Sequence, residues 1–289
     1  RHAADPDVPA IGIRLFEIPA ARADDPRARA YIVDHVSPGK SFNRRVEVSN
    51  TSGERQRIDL YATAASIEEN AFAPAEGRTG NELTSWISIG EDRLELAPGE
   101  RETVEVQVDV PRAASKGERY AVIWAETKSA PEEGDNVTQV RRVGIRMYLD
   151  VGLGGEPPTD FRIEGLKVEP GPGEVPLVTA RVVNTGGRAL DMTGSLTLTK
   201  DPVRAGPFKV GNGTSILPGT DGQVRVEVSE PLPAGVWDVR LVLRSGIVER
   251  TAEGRIRLPV ATSLAMETGG PDRLVYSLSA GVALAALTA

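Results

Sequence analysis

The chain has 289 residues, a formal net charge of −7 and no cysteine. Disulfides, thiolate metal sites and cysteine nucleophiles are excluded, and the 34 basic residues form no positive stripe for nucleic acid. The 30 Gly and 21 Pro fit an all-β chain with frequent turns, long enough for two domains that each bury a core unaided.

In chain order, residues 1–9 read as a flexible N-terminus. It lacks Met, and removal of a signal peptide and simple trimming explain that equally well. "AIGIRLFEIP" (10–19) predicts a strand ended by Pro19, and "AARADDPRAR" (20–29) a polar connector. Two strands flank the Ser37-Pro38-Gly39 turn, and another begins at Arg57. Residues 66–83 form an acidic excursion with Gly and Pro. "SWISI" and "DRLEL" then lead to a strand with Val104, Val106 and Val108 on alternate positions, the period of a half-buried strand. A last hairpin carries the acidic loop "SAPEEGDN" (129–136) and closes a first unit at 10–152. Residues 153–160, with Pro157-Pro158, read as a stiff linker to a second unit at 161–260. After a linker at 261–273, residues 274–289 carry no charge. They predict either the start of a transmembrane helix or a short buried helix docked on the second unit, and the first reading is favoured.

The two units repeat one another. Pro98, Gly99, Val104, Val106, Val108 and Pro111 recur 120 residues later at Pro218, Gly219, Val224, Val226, Val228 and Pro231. Pro38 and Asn50 recur 134 residues later at Pro172 and Asn184. A third echo sets "AGVWDVRLVLR" from Ala234 against "KGERYAVIWAE" from Lys116. Three such echoes in the same order predict homologous units, and strands at this spacing predict two tandem immunoglobulin-like β-sandwiches.

Catalytic patterns appear only as imitations. "PGKS" (38–41) lacks the earlier Gly of a phosphate loop, where Asp34 stands, and a strand follows it instead of a helix. "GLGGEP" (152–157) has Pro157 where a dinucleotide loop needs Gly. His35 is a lone strand histidine, and no nucleophile elbow occurs. No enzyme, metal or cofactor is expected, so function should rest on surfaces. Trp124 and Trp237 read as core. Trp86, beside the excursion, is a candidate for a binding face together with Glu68, Glu69, Phe72 and Arg78, although the two glutamates also read as solvated charge. The excursion has no counterpart in the second unit. It is expected to be replaceable by a short turn without loss of stability.

The order of these features resembles the WxL-interacting protein family of Gram-positive bacteria: the strand after Pro38-Gly39, the "PG…VEVQVDVP" strand, then "KGERYAVIWAE" and an apolar end. The resemblance implies a peptidoglycan-binding immunoglobulin-like module, a second such module and a single-helix membrane anchor. It would make the chain a non-catalytic adhesion or scaffold protein on the extracellular face of the membrane, with cell-wall peptidoglycan or another surface protein as partner. The alternative is a chaperone- or assembly-type pair of sandwiches, resembling the periplasmic pilus chaperones, that holds a client by strand addition to an open edge.

Overall fold

The computed structural model describes residues 10–128, 138–211 and 213–259. The acidic loop at 129–136 and the apolar segment at 274–289 lie outside them. Among the described residues no helix is long and apolar enough to cross a membrane.

The chain is all-β. Its first part contains β1 (Ile11–Leu15), β2 (Ile32–Val36), β3 (Ser41–Asn50), β4 (Gln56–Glu68), β5 (Ala71–Pro74), β6 (Ile87–Ile89), β7 (Arg93–Leu96), β8 (Arg101–Asp109), β9 (Gly117–Lys128) and β10 (Val140–Val151). One sheet runs β1-β3-β8-β6. The other runs β2-β10-β9-β4-β5, with β7 on the far end of β4. Alternation drives this layering. Val104, Val106 and Val108 turn inward from β8 and meet Ile58, Leu60, Ile123, Ile145, Met147 and Leu149 from the opposite sheet. Each such side chain contributes about 1.5–3 kcal/mol on burial. Between β1 and β2 the chain crosses from one sheet to the other, so that β2 lies parallel to β10 while every other pairing is antiparallel. The predicted connector at 20–29 holds a 3-10 turn (Ala20–Arg22) and one helical turn, α1 (Arg27–Ala30), whose Arg27 is buried.

The second part contains β11 (Phe161–Pro170), β12 (Pro176–Asn184), β13 (Leu190–Asp191), β14 (Thr193–Lys200), β15 (Val203–Lys209), β16 (Ser215–Ile216), β17 (Asp221–Glu227), β18 (Gly235–Ser245) and β19 (Val248–Leu258). Its sheets run β11-β12-β17 and β15-β14-β18-β19, with β13-β16 as a short pair. A separate core lies between them around Trp237, Phe161, Val182, Leu196 and Leu241.

The repeat seen in sequence holds at the level of register. Val46 faces Val104, and the positions 134 and 120 residues on, Ala180 and Val224, face each other. Asn50 donates through Nδ2 to the carbonyls of Glu54 (2.7 Å) and Leu96 (3.0 Å), while its Oδ1 accepts from the Ser52 amide. Asn184 does the same with Arg188 (2.8 Å), Ile216 (2.9 Å) and the Gly186 amide. A buried amide with no such partners is costly, so the repeated Asn marks a repeated turn. Among the described residues the second unit lacks counterparts of β2 and β6.

The two tryptophans read as core part company. Trp237 is fully buried between its sheets. Trp124 lies on the outward face of the first unit's larger sheet, because its neighbours Ile123 and Ala125 take the inward positions.

Candidate functional site

That outward face is covered in part by the second unit. Val33, Ile67, Phe72, Tyr120, Val122 and Tyr148 pack there with Ala189, and Leu217 joins them. The Phe72 ring sits 5.2 Å from Tyr148 and 6.3 Å from Tyr120 between centroids, distances at which offset and edge-on rings attract. Arg188 enters beside this aromatic group with its side chain 2% exposed. It donates to Glu118 (Nε to Oε1, 3.2 Å), to Glu156, and at longer range to the carbonyls of Asp34 and Tyr148. The other oxygen of Glu118 accepts from the Ala189 amide (2.7 Å) and the Tyr120 hydroxyl (2.8 Å). Arg27 lies over the Tyr148 ring and donates to the Ala189 carbonyl at 3.1 Å. Burial pushes the Tyr148 hydroxyl up to about 12, raises the carboxyls of Asp34 and Asp191, and lowers Arg188.

The linker is held equally closely. Its carbonyls at Pro158 and Asp160 accept from the amides of Gly187, Gly186 and Thr185. A Cβ on Gly186 would stand 2.5 Å from both the Asp160 nitrogen and the Pro158 oxygen, so only Gly permits this approach. His35 lies at its start, with Nδ1 2.6 Å from Asp150 and Nε2 3.1 Å from the Gly154 carbonyl oxygen.

Beside this junction one strand edge is left open. β2 pairs with β10 only over Met147–Val151, so Val140–Arg146 has β9 on one side and no strand on the other among the described residues. The Gly152 amide donates to Val36, so by the two-residue alternation Val140, Arg142 and Gly144 turn N–H and C=O toward the open side. The Arg146 amide points the same way. Its guanidinium stands between the rings of Tyr31 and Phe72 and reaches Asp191 at 3.5 Å, so the open edge emerges directly from the junction. Gly144 faces Trp124 across the ladder, and a Cβ there would come within 2.5 Å of the indole. The Arg142 guanidinium lies over the same indole, 5.0 Å from the ring centroid.

The residues singled out in sequence do not converge on one surface. Trp86 is buried in the first core, capped by Arg119 at 4.9 Å. Glu69 and Asn70, both with positive φ, form the two-residue turn joining β4 to β5; Glu68 ends β4 and accepts from Ser66. Phe72, on β5, is buried at the junction. Arg78 lies over Tyr61 at 4.3 Å on the part of the same sheet face that the second unit leaves uncovered. The hairpin tip is a contact: the Asn70 carbonyl accepts from the Ser215 amide at 2.8 Å, and Ala71 bridges Thr214. The excursion is thus a clasp on the second unit. Arg188, Glu118 and Asp191 carry no local sequence signal, since their partners lie far along the chain. Gly144 does carry one, as a glycine inside a strand pattern.

Among the described residues no group of three His, Asp or Glu side chains is placed to hold a metal ion. No protein-family model and no curated protein matches the chain. Similar solved structures include the SafB chaperone bound to SafA pilin from Salmonella enterica, at 10% identity and a TM-score of 0.44 over 88% of this chain and 99% of that one. A class 5 fimbriae chaperone, CfaA, is 10% identical, with a TM-score of 0.40 over 86% and 100%. The Pseudomonas aeruginosa CupB2 chaperone is 14% identical, with a TM-score of 0.40 over 77% and 95%.

These findings correct the resemblance drawn from sequence. The three solved structures are chaperones, one of fimbriae and one bound to a pilin, and none is a WxL-interacting protein. The assignment to that Gram-positive family is withdrawn. With it go peptidoglycan or a surface protein as partner, the membrane anchor, the adhesion role and the cell-surface location. The physical reason lies in the residues that carried the match. Gly39 and Gly99 are positive-φ turn glycines, and Val104, Val106 and Val108 are core, features that any sandwich of this topology needs.

Proposed function

We propose that the chain is a pair of immunoglobulin-like sandwiches that binds without catalysis, holding an extended client segment by strand addition along the open half of β10. This is the second of the two readings open to the sequence. One observation carries it: among the described residues Val140–Arg146 is paired on one side only, while the continuation of the same strand already accepts a parallel neighbour in β2. An unpaired edge of this length is a template for another chain, and main-chain hydrogen bonds supply its affinity. The clasped junction supports the reading by fixing where the edge begins.

Arg142→Pro tests it. The Arg142 N–H faces the open side, so proline removes a donor to the client and none from the β9 ladder. Against a panel of nine-residue peptides with alternating apolar residues, fluorescence anisotropy should show binding to the parent chain and to Arg142→Ala, and its loss in Arg142→Pro. Binding that survives Arg142→Pro would overturn strand addition at this edge.

A further inference from the structure

The open edge is lopsided in charge. Between residues 138 and 146 the sequence reads TQVRRVGIR, with three Arg and no acid. Arg146 is taken up by Asp191. Arg141 and Arg142 are not: both are exposed, and neither has a carboxylate within 4 Å among the described residues. Arg142 hydrogen-bonds the Tyr61 side chain, and the Glu126 carboxyl directly across the ladder is lowered by the Tyr61 hydroxyl it receives at 2.6 Å, by Lys128 at 3.3 Å and by the field of Arg142. Arg141 donates to the side-chain oxygen of Gln139 at 3.3 Å. Because side chains alternate, these two guanidiniums stand on opposite faces of the same edge. The next two positions differ in character. Val143 packs at the rim of the core, and Gly144 exposes the side of the Trp124 indole in place of a side chain of its own.

We infer that the segment taken up at this edge is acidic and apolar in a fixed order: two adjacent carboxylates opposite Arg141 and Arg142, next to two apolar residues opposite Val143 and Gly144. The inference rests on strand addition at β10. Residues directly opposite one another in a ladder share a face, so adjacent carboxylates meet one guanidinium on each face. The following apolar pair then covers the rim of the core on one face and the indole on the other.

Two extended peptides identical except at two positions test this, one with adjacent Glu-Glu beside Val-Leu and one with Lys-Lys in place of Glu-Glu. Affinity for the intact chain is read by peptide anisotropy, with the emission of Trp124 as a second readout. The acidic peptide should bind on the order of fivefold or more tighter at low salt, with the advantage shrinking in 0.5 M salt as screening shortens the range of the charges. Arg141→Glu with Arg142→Glu should reverse the preference. Equal binding of both peptides, with loss of both in Arg142→Pro, would overturn the acidic preference while leaving strand addition standing. Binding of both that persists in Arg142→Pro would overturn the two together. Arg141→Ser with Arg142→Ser separates the remaining rival, in which the arginines only keep copies of the chain apart. Unchanged affinity for the acidic peptide, with new self-association by light scattering, would overturn the inference.

Discussion

Glu118→Gln is the sharpest probe of the junction. Glu118 and Arg188 are 4% and 2% exposed at their side chains, so neither charge has water to fall back on. Removing the carboxylate charge leaves Arg188 with Glu156, which is 37% exposed and shared with Arg22. Stranding one member of a buried pair costs about 3–5 kcal/mol. The glutamine oxygen can still accept from the Ala189 amide or the Tyr120 hydroxyl, so the loss belongs mainly to the charge. With a urea dependence of about 3 kcal/mol/M, the midpoint should fall by about 1–2 M. Trp86 reports on the first core and Trp237 on the second, so indole emission follows both units. The parent chain should unfold in one transition, and the variant should separate into two. Glu118→Leu combined with Arg188→Met should recover at least half of the loss, since no charge is left stranded. A midpoint within about 0.3 M of the parent's would refute the reasoning, because it would mean that Arg188 finds water or another partner at no cost.

Four further outcomes follow from the same geometry. Phe72→Ala should cost about 3–5 kcal/mol by thermal unfolding. Replacing the whole of 65–83 with a short turn should cost at least as much, contrary to the expectation from sequence, because Phe72 and Leu83 are buried. Gly186→Ala should destabilise by about 1–3 kcal/mol, read by urea denaturation, since the new methyl group meets linker backbone and not a movable side chain. Burial raises the Asp191 carboxyl, so the folded chain binds that proton more readily than the unfolded one. Its contribution is complete below the ordinary aspartate value and is lost as pH rises through the raised value. Asp191→Asn should remove that part of the pH dependence, as measured by unfolding midpoints from pH 3 to 7, and leave the part due to Asp34.

Much of the fold was legible because it is written in short-range patterns. The alternation at Val104–Val108 names a strand face, and its recurrence at Val224–Val228 names the second unit. Asn50 and Asn184 mark equivalent turns, even though their Nδ2 bonds could not be guessed. Legibility ended where a property depends on pairing between distant segments. Both faces of β9 carry apolar side chains, Ala121, Ile123 and Ala125 inward and Tyr120, Val122 and Trp124 outward, so Trp124 looked like Trp237 until the partner sheet was known. Phe72 read as a free binding residue because its cover comes from around Ala189, more than a hundred residues later. The open half of β10 is set by where β2 starts to pair, at Met147, and no local feature of β10 reveals that boundary.

The aromatic face beneath the clasp has a consequence for how the chain is made. Synthesis runs from the first unit to the second, so the sandwich of residues 10–152 can close before Arg188, Ala189 and Leu217 exist. During that interval Phe72, Tyr120 and Tyr148 face water together, with Arg188 and the Ala189 amide, the two later partners of Glu118, not yet translated. A ribosome-bound first unit therefore presents an adhesive surface that its own later sequence extinguishes. The same surface would be permanent in a fragment ending at the linker, which should self-associate more strongly than the whole chain.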